Sequence, residues 1–352
     1  MRQPVAARLG LVLLLVVLAG CAPTSADGPV IALLLPESKT SRYESIDRPA
    51  FERTVAARCS TCRVLYANAG QDAARQQQQA ESALTQGASV LVIDAVDASA
   101  ARSIVTSASG RGVRVVAYDR FIADAPLDFM VGYDPERVGQ LQGEALVHAV
   151  GRISSGFGIL EVDGAETDPN VAQLRAGLLK ALENTGVTVL ARYSTPDWSP
   201  DKAQEWVQGQ LTQYAGRVVG VYAANDGTAG GAISAMRAAG MDPVPPVTGQ
   251  DAELAAVQRI VAGDQTMTVY KAIDQQARTA AELAVRLARG EEPAATAQVE
   301  DVPAILLSPV AVTRGTVREV LVDGGVYTAS EICVEPYRQD CIDIGLLAKE
   351  AG

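Results

Sequence analysis

Polar side chains recur just past apolar runs in this chain. Asn225 and Asp226 follow the run 218–224, Gln250 and Asp251 close a second run at Gly249, and Lys271 ends a third. Upstream, Asp119 and Arg120 follow the run 113–118, and Lys39, Arg42 and Tyr43 lie in the polar loop after 30–35. Asp168, Asn170 and Trp198 fall in later loops. A lone Asn or Asp at such a point caps the next helix. Repetition at successive strand ends is the pattern of a binding site in an open α/β sheet. The set mixes carboxylates, amides and cations, with Tyr43 and Trp198 as aromatic surfaces. A sugar hydroxyl donates one hydrogen bond and accepts others, so it matches such a mixture. Its C–H face packs on a ring. An anionic ligand calls for cations without the carboxylates, and a metal for the reverse.

Reactive chemistry finds less support. The single histidine, His148, lies inside a helical stretch, which leaves no Ser-His-Asp arrangement. No G-x-G-x-x-G follows a strand. The glycines at 227–231 lack the Lys-Ser/Thr of a phosphate loop. Two carboxylates acting on a glycosidic bond are the one enzymatic alternative that the residue types allow. Binding without catalysis, cofactor or metal is the expectation. Within the polar set, Asp226 and the glycines after it read as the turn that aims Asn225.

The elements that carry these residues alternate regularly. Apolar runs at 30–35, 63–66, 90–93 and 113–118 are separated by helical stretches at 46–58, 72–86 and 99–109. The rhythm breaks at 121–128, the candidate crossing between domains. It resumes with strands at 130–132, 158–162, 187–193 and 218–224 and helices between them. Such alternation predicts parallel sheets covered on both faces, built from right-handed βαβ units. Two similar doubly wound α/β domains are expected.

The chain has 352 residues, 48% hydrophobic and 20% charged, enough for two domains with real cores. A formal net charge of −11 argues against nucleic acid as a partner. Arg2 and Arg8 precede the apolar run 9–18 and then small residues, which reads as a secretory signal over 1–20. Leu18-Ala19-Gly20-Cys21 reads as a lipobox, with Cys21 lipidated and 21–28 a tether to the membrane. Four cysteines remain: Cys59, Cys62, Cys333 and Cys341. An even count in an exported chain implies disulfides. Three pairings are possible, and proximity favours Cys59–Cys62 with Cys333–Cys341. Cys59 and Cys62 lie after a helix and before a strand, the reverse of a thioredoxin-type redox motif.

Several segments resemble the periplasmic sugar-binding proteins of the ribose/xylose type, the substrate-binding components of ABC importers. They are Leu33-Leu34-Leu35-Pro36 with Ser41-Arg42-Tyr43, Ala117-Tyr118-Asp119-Arg120, and Asn225-Asp226-Gly227-Thr228-Ala229-Gly230-Gly231-Ala232. Val247-Thr248-Gly249-Gln250-Asp251-Ala252 and Gln265-Thr266-Met267-Thr268-Val269-Tyr270-Lys271 complete the pattern, which spans about 30–328. The resemblance implies a type I periplasmic-binding-protein fold, two doubly wound parallel-sheet lobes joined by a three-crossing hinge. It divides the chain into 29–123 plus about 270–292, and 124–269 plus about 304–337, with 338–352 as a tail. It implies a monosaccharide ligand, xylose or a related pentose or hexose. Arg42, Asp119 and Arg120 would grip it from the first lobe, and Asp168, Asn170, Trp198, Asn225 and Asp251 from the second. Lys271 would sit near the hinge. The implied partners are an ABC permease with its ATPase; a chemoreceptor or kinase partner is the alternative. A monomer outside the cytoplasm, held at the membrane by its lipid, completes the expectation. Tyr43 stands where the family often has Trp, and Pro169 where a second amide is usual. The four cysteines and the tail are additional to the pattern.

Overall fold

The computed structural model describes residues 28–348. The expected signal segment, Cys21 and the end of the tail at 349–352 lie outside the described residues. The first sheet opens with β1 (Val30–Leu35), β2 (Arg63–Asn68), β3 (Ala88–Ile93), β4 (Arg114–Tyr118) and β5 (Phe129–Tyr133). These strands run in the order β2-β1-β3-β4-β5, each pair parallel. Helices α1 (Arg48–Arg58), α2 (Ala73–Thr85) and α3 (Ala98–Gly110) make the crossovers. All of β1 is buried because alternate side chains serve two cores. Ile31, Leu33 and Leu35 pack with Phe51 and Val55 of α1, whereas Ala32 and Leu34 pack with Ala80 of α2 and Ile104 of α3.

The first crossing comes later than the break at 121–128 suggests. Strand β5 pairs with β4 through Val116↔Phe129 and Tyr118↔Val131, so that loop stays within the first lobe. Every β5 residue is buried, and such a strand needs pairing partners on both edges. The chain leaves at Asp134, whose side chain caps α4 (Pro135–Val150).

A second sheet follows, with β6 (Gly158–Asp163), β7 (Val189–Ser194) and β8 (Val218–Ala223) in the order β7-β6-β8. Single bridges at Val221–Val247 and Gln250–Val269 extend it to β9 (Met267–Tyr270). Helices α5 (Pro169–Leu182), α6 (Pro200–Gln213), α7 (Asp226–Ala238) and α8 (Leu254–Ala262) accompany these strands. Helix α7 starts earlier than the glycine run suggests. Asn225 and Thr228 form a capping box that offsets the weak propensity of the glycines.

After β9 the chain returns to the first lobe as α9 (Ile273–Ala288), whose Ala280, Ala281 and Ala284 share a core with α1. Strands β10 (Ala297–Val299) and β11 (Val302–Leu307) then add to the first sheet, β11 parallel to β5. The stretch 302–307 therefore belongs to the first lobe, not the second as expected, because β5 offers it an open edge. Strand β12 (Val310–Thr313) crosses back and pairs antiparallel with β9. The chain thus passes between the sheets after β5, after β9 and after β11.

The stretch 338–348 is not a separate tail. Helices α10 (Ala329–Ile332) and α11 (Arg338–Asp343) bring Ile332, Cys341 and Leu346 onto Val257, Ile260 and Val261 of α8. Disulfides join Cys59 to Cys62 and Cys333 to Cys341, the pairing that proximity favours.

Candidate functional site

The strand ends of both sheets meet at one cavity. It is lined by Thr40, Arg42, Tyr43, Asp119, Arg120, Asp168, Asn170, Trp198, Asn225, Gln250, Asp251 and Lys271. Residues that follow β1 and β4 come from the first lobe. Those that follow β6, β7, β8 and the Gln250 bridge come from the second, and Lys271 follows β9 at a crossing. Several lie in the left-handed region, at φ 63° for Asp119, 54° for Trp198 and 94° for Asp251. Strain of this kind clusters where side chains must be aimed. Trp198 lies flat against the chain at Gly164, where a Cβ would meet its ring at 2.1 Å.

Ion pairs organise the polar wall. Arg42 is gripped by Asp47 through two bonds, from Nε at 3.0 Å and Nη2 at 2.8 Å, and Nη2 also donates to Gln276 at 3.1 Å. Its Nη1 donates to Asp119 Oδ2 at 2.6 Å. Lys271 Nζ lies 3.0 Å from Asp251 Oδ1 and 3.8 Å from Asp119 Oδ2. Burial alone would push the Asp119 carboxyl up. The charges of Lys271, Arg42 and Arg120 outweigh it and hold the group well below the usual carboxylate range. Asp119 is therefore an ionised acceptor rather than an acid ready to give a proton. Asp168 moves the other way: burial raises it, with Arg120 opposing.

Contacts from the two lobes meet across the cleft. Asn170 donates to Asp119 Oδ1 at 3.1 Å, and Arg120 Nε lies 2.7 Å from Asp168 Oδ2. Ser41 donates to Glu253 from its backbone at 3.2 Å and its hydroxyl at 3.0 Å. The lobes are closed upon each other in this conformation.

Of the residues singled out from sequence, Lys39 is the one that the cavity lacks. Its side chain is exposed, and its backbone N–H turns inward to Glu37. Asp168 and Asn225 combine two jobs. One Asp168 oxygen caps α5 at Asn170 N while the other meets Arg120. Asn225 Oδ1 caps α7 at Thr228 N, which leaves its amide NH2 for the cavity. Asp226 is a buried post that accepts from Gln265 at 2.8 Å, Thr268 at 2.9 Å and Glu253 N at 3.0 Å. Sequence reasoning missed Thr40, Gln250, Asp47 and Gln276 as part of this network. Gln250 stood beside Asp251 at a strand end and was within reach of the same argument. Gln276 meets Arg42 across 234 positions of chain, and no local signal marks it. His148 is exposed and far from this set in role, and Trp206 stacks on Tyr193 at 5.3 Å. Among the described residues, no group of His, Cys, Asp or Glu could hold a metal ion. No helix among them is long and apolar enough to cross a membrane.

Comparison with known proteins agrees with this geometry. Residues 31–292 match the model of the periplasmic binding protein domain. The chain is 35% identical over 310 residues to the D-xylose-binding periplasmic protein of Escherichia coli, covering 86% of this chain and 92% of that one. It is 30% identical over 344 residues to a multiple sugar-binding periplasmic protein of Azospirillum brasilense, covering 90% and 95%. A carbohydrate transporter solute-binding protein from Chloroflexus aurantiacus, solved in complex with D-glucose, superposes with a TM-score of 0.77 at 28% identity, covering 86% and 97%. By their names the first two relatives are sugar-binding periplasmic proteins and the third is the solute-binding protein of a carbohydrate transporter.

Proposed function

Because the chain belongs to the periplasmic binding protein domain family, we propose that it captures a monosaccharide between its lobes outside the cytoplasm and delivers it to an ABC permease. The observation that carries this is the closed cavity itself, whose carboxylates, amides and cations come from both lobes and are arranged in fixed pairs. Ionised Asp119 offers acceptors to hydroxyl donors, and Arg42, Arg120 and Lys271 offer N–H groups to hydroxyl oxygens. Trp198 offers a face to the C–H side of a sugar ring. Xylose or a related pentose or hexose fits this donor set. Sugar would bind one lobe, and the second lobe would complete the bonds on closing.

Disulfides in the chain suit an exported protein. The lipobox at Cys21 would hold it at the membrane beside its permease, as a monomer. Titration calorimetry with D-xylose, D-ribose, D-glucose and D-allose tests the binding reading, and heat with none of them sinks it. Radiolabelled fatty acid should mark the wild type in cells and not the Cys21→Ser variant. Label on both would refute the anchor.

A further inference from the structure

Arg120 sits between two carboxylates that belong to different lobes. Its Nε lies 2.7 Å from Asp168 Oδ2 and 3.2 Å from Asp94 Oδ1. Asp168 caps α5 in the second lobe, whereas Asp94 follows β3 in the first. Asp94 is fully buried, is not part of the cavity wall, and neither of its oxygens accepts a well-aligned hydrogen bond. Burial pushes its carboxyl up, and Arg120 opposes that push. The rest of the guanidinium is tied to the first lobe. Nη1 donates to the Ala95 carbonyl at 2.8 Å, and Nη2 lies 3.4 Å from the Tyr43 hydroxyl. Nearby Asp119 is already engaged by Arg42 of its own lobe. A cation this deep in the closed form requires a carboxylate beside it. When the lobes part, Asp168 leaves with α5 and Asp94 stays.

We infer that Asp94 is the open-state partner of Arg120, a positioning residue that keeps the guanidinium aimed into the cleft until Asp168 arrives. The inference rests on closure of the lobes around a ligand, as proposed above. Its consequence is a pair of opposite effects from one guanidinium. Asp94→Asn removes the carboxylate that the open form relies on and shifts the ligand-free protein toward closure. Asp168→Asn removes the partner of the closed form and shifts it toward opening. A residue that merely supports the fold lowers stability without moving this balance.

Small-angle scattering of the ligand-free full chain reads the balance. The radius of gyration of Asp94→Asn should fall toward that of sugar-loaded wild type, and that of Asp168→Asn should hold or rise. An unchanged or larger radius for Asp94→Asn overturns the inference. Should Asp94→Asn fail to fold, the Asp94→Asn/Arg120→Gln double variant decides. Its radius should equal that of Arg120→Gln alone, and a difference overturns the pairing. D-xylose and D-glucose serve as the loading probes. If neither binds wild type, the sugar reading fails, while the ligand-free radii still decide the role of Asp94.

Discussion

Asp251 shows how much a single side chain in this site does. It is 7% exposed, holds Lys271 at 3.0 Å, and stands 3.8 Å from Arg42 Nη1. Truncating it leaves a buried ammonium with only the more distant Asp119, at 3.8 Å, and removes an acceptor from the cavity. Asp251→Ala should weaken sugar binding by about 2–5 kcal/mol, measured by calorimetry. Unchanged affinity would remove it from the site. Asp119 behaves differently with pH. Its carboxyl is depressed in the folded state, so the charge it contributes is fully present above the ordinary carboxylate range. That contribution is lost only as pH falls through the depressed value. Acidification from pH 7 to about 5 should therefore leave the Arg42–Asp119 pair intact, and the ratio of the sugar affinities of wild type and Asp119→Asn should stay constant across this window; a changing ratio would mean that Asp119 titrates there. Lys39 marks the limit of residue-level reading. Its type and loop suited a ligand contact, but the backbone turn at Glu37 points it to solvent.

Elements contribute through close approach and buried charge. Helices α4 and α5 touch through paired glycines. A Cβ on Gly139 would lie 1.9 Å from Leu174 O, and one on Gly177 would lie 2.0 Å from Glu136 O. Gly177→Ala should lower unfolding stability by about 1–3 kcal/mol in urea titration, since backbone rather than a flexible side chain blocks the added methyl. A wild-type midpoint would show that the helices can part without loss. Strand β6 places Glu161 and Asp163 on one buried face, met by Arg175 and Arg192. Burial, with Glu161 beside it, pushes Asp163 up to about 7. An acid raised above its unfolded value stabilises the fold while protonated, so this contribution is present near pH 4 and lost as pH rises through about 7. Melting of wild type between about pH 5 and pH 8 should thus fall more steeply than that of Asp163→Asn. Parallel curves would place the titration elsewhere.

At the scale of the whole molecule, binding and stability are linked. A ligand that binds only the folded, closed form at ~100 times its Kd stabilises the chain by about 2.7 kcal/mol. The melting temperature should rise with the bound sugar and not with a sugar that calorimetry rejects. Because a neutral sugar releases no counterions and the site's charges are paired and buried, the affinity should change little from low to high salt. A steep salt dependence would point to an anionic ligand instead. The C-terminal stretch belongs to this scale too. It carries Cys333 and Cys341 into the core over α8, where it completes the second lobe.

The sequence by itself determined the α/β class, the strand ends and most of the cavity wall. Apolar runs with polar residues at their ends are local signals, and each can be read within a few residues of Asp119, Asn225 or Asp251. Proximity likewise sufficed for both disulfides. Tertiary structure alone decided where strands 129–133 and 302–307 pair, because an edge is open or closed only once its neighbours are in place. It alone brought Gln276 behind Arg42, and set Asp94 against Asp168 across Arg120. Those contacts join distant parts of the chain through buried charge, and the energy that selects them exists only when water has been excluded from both partners.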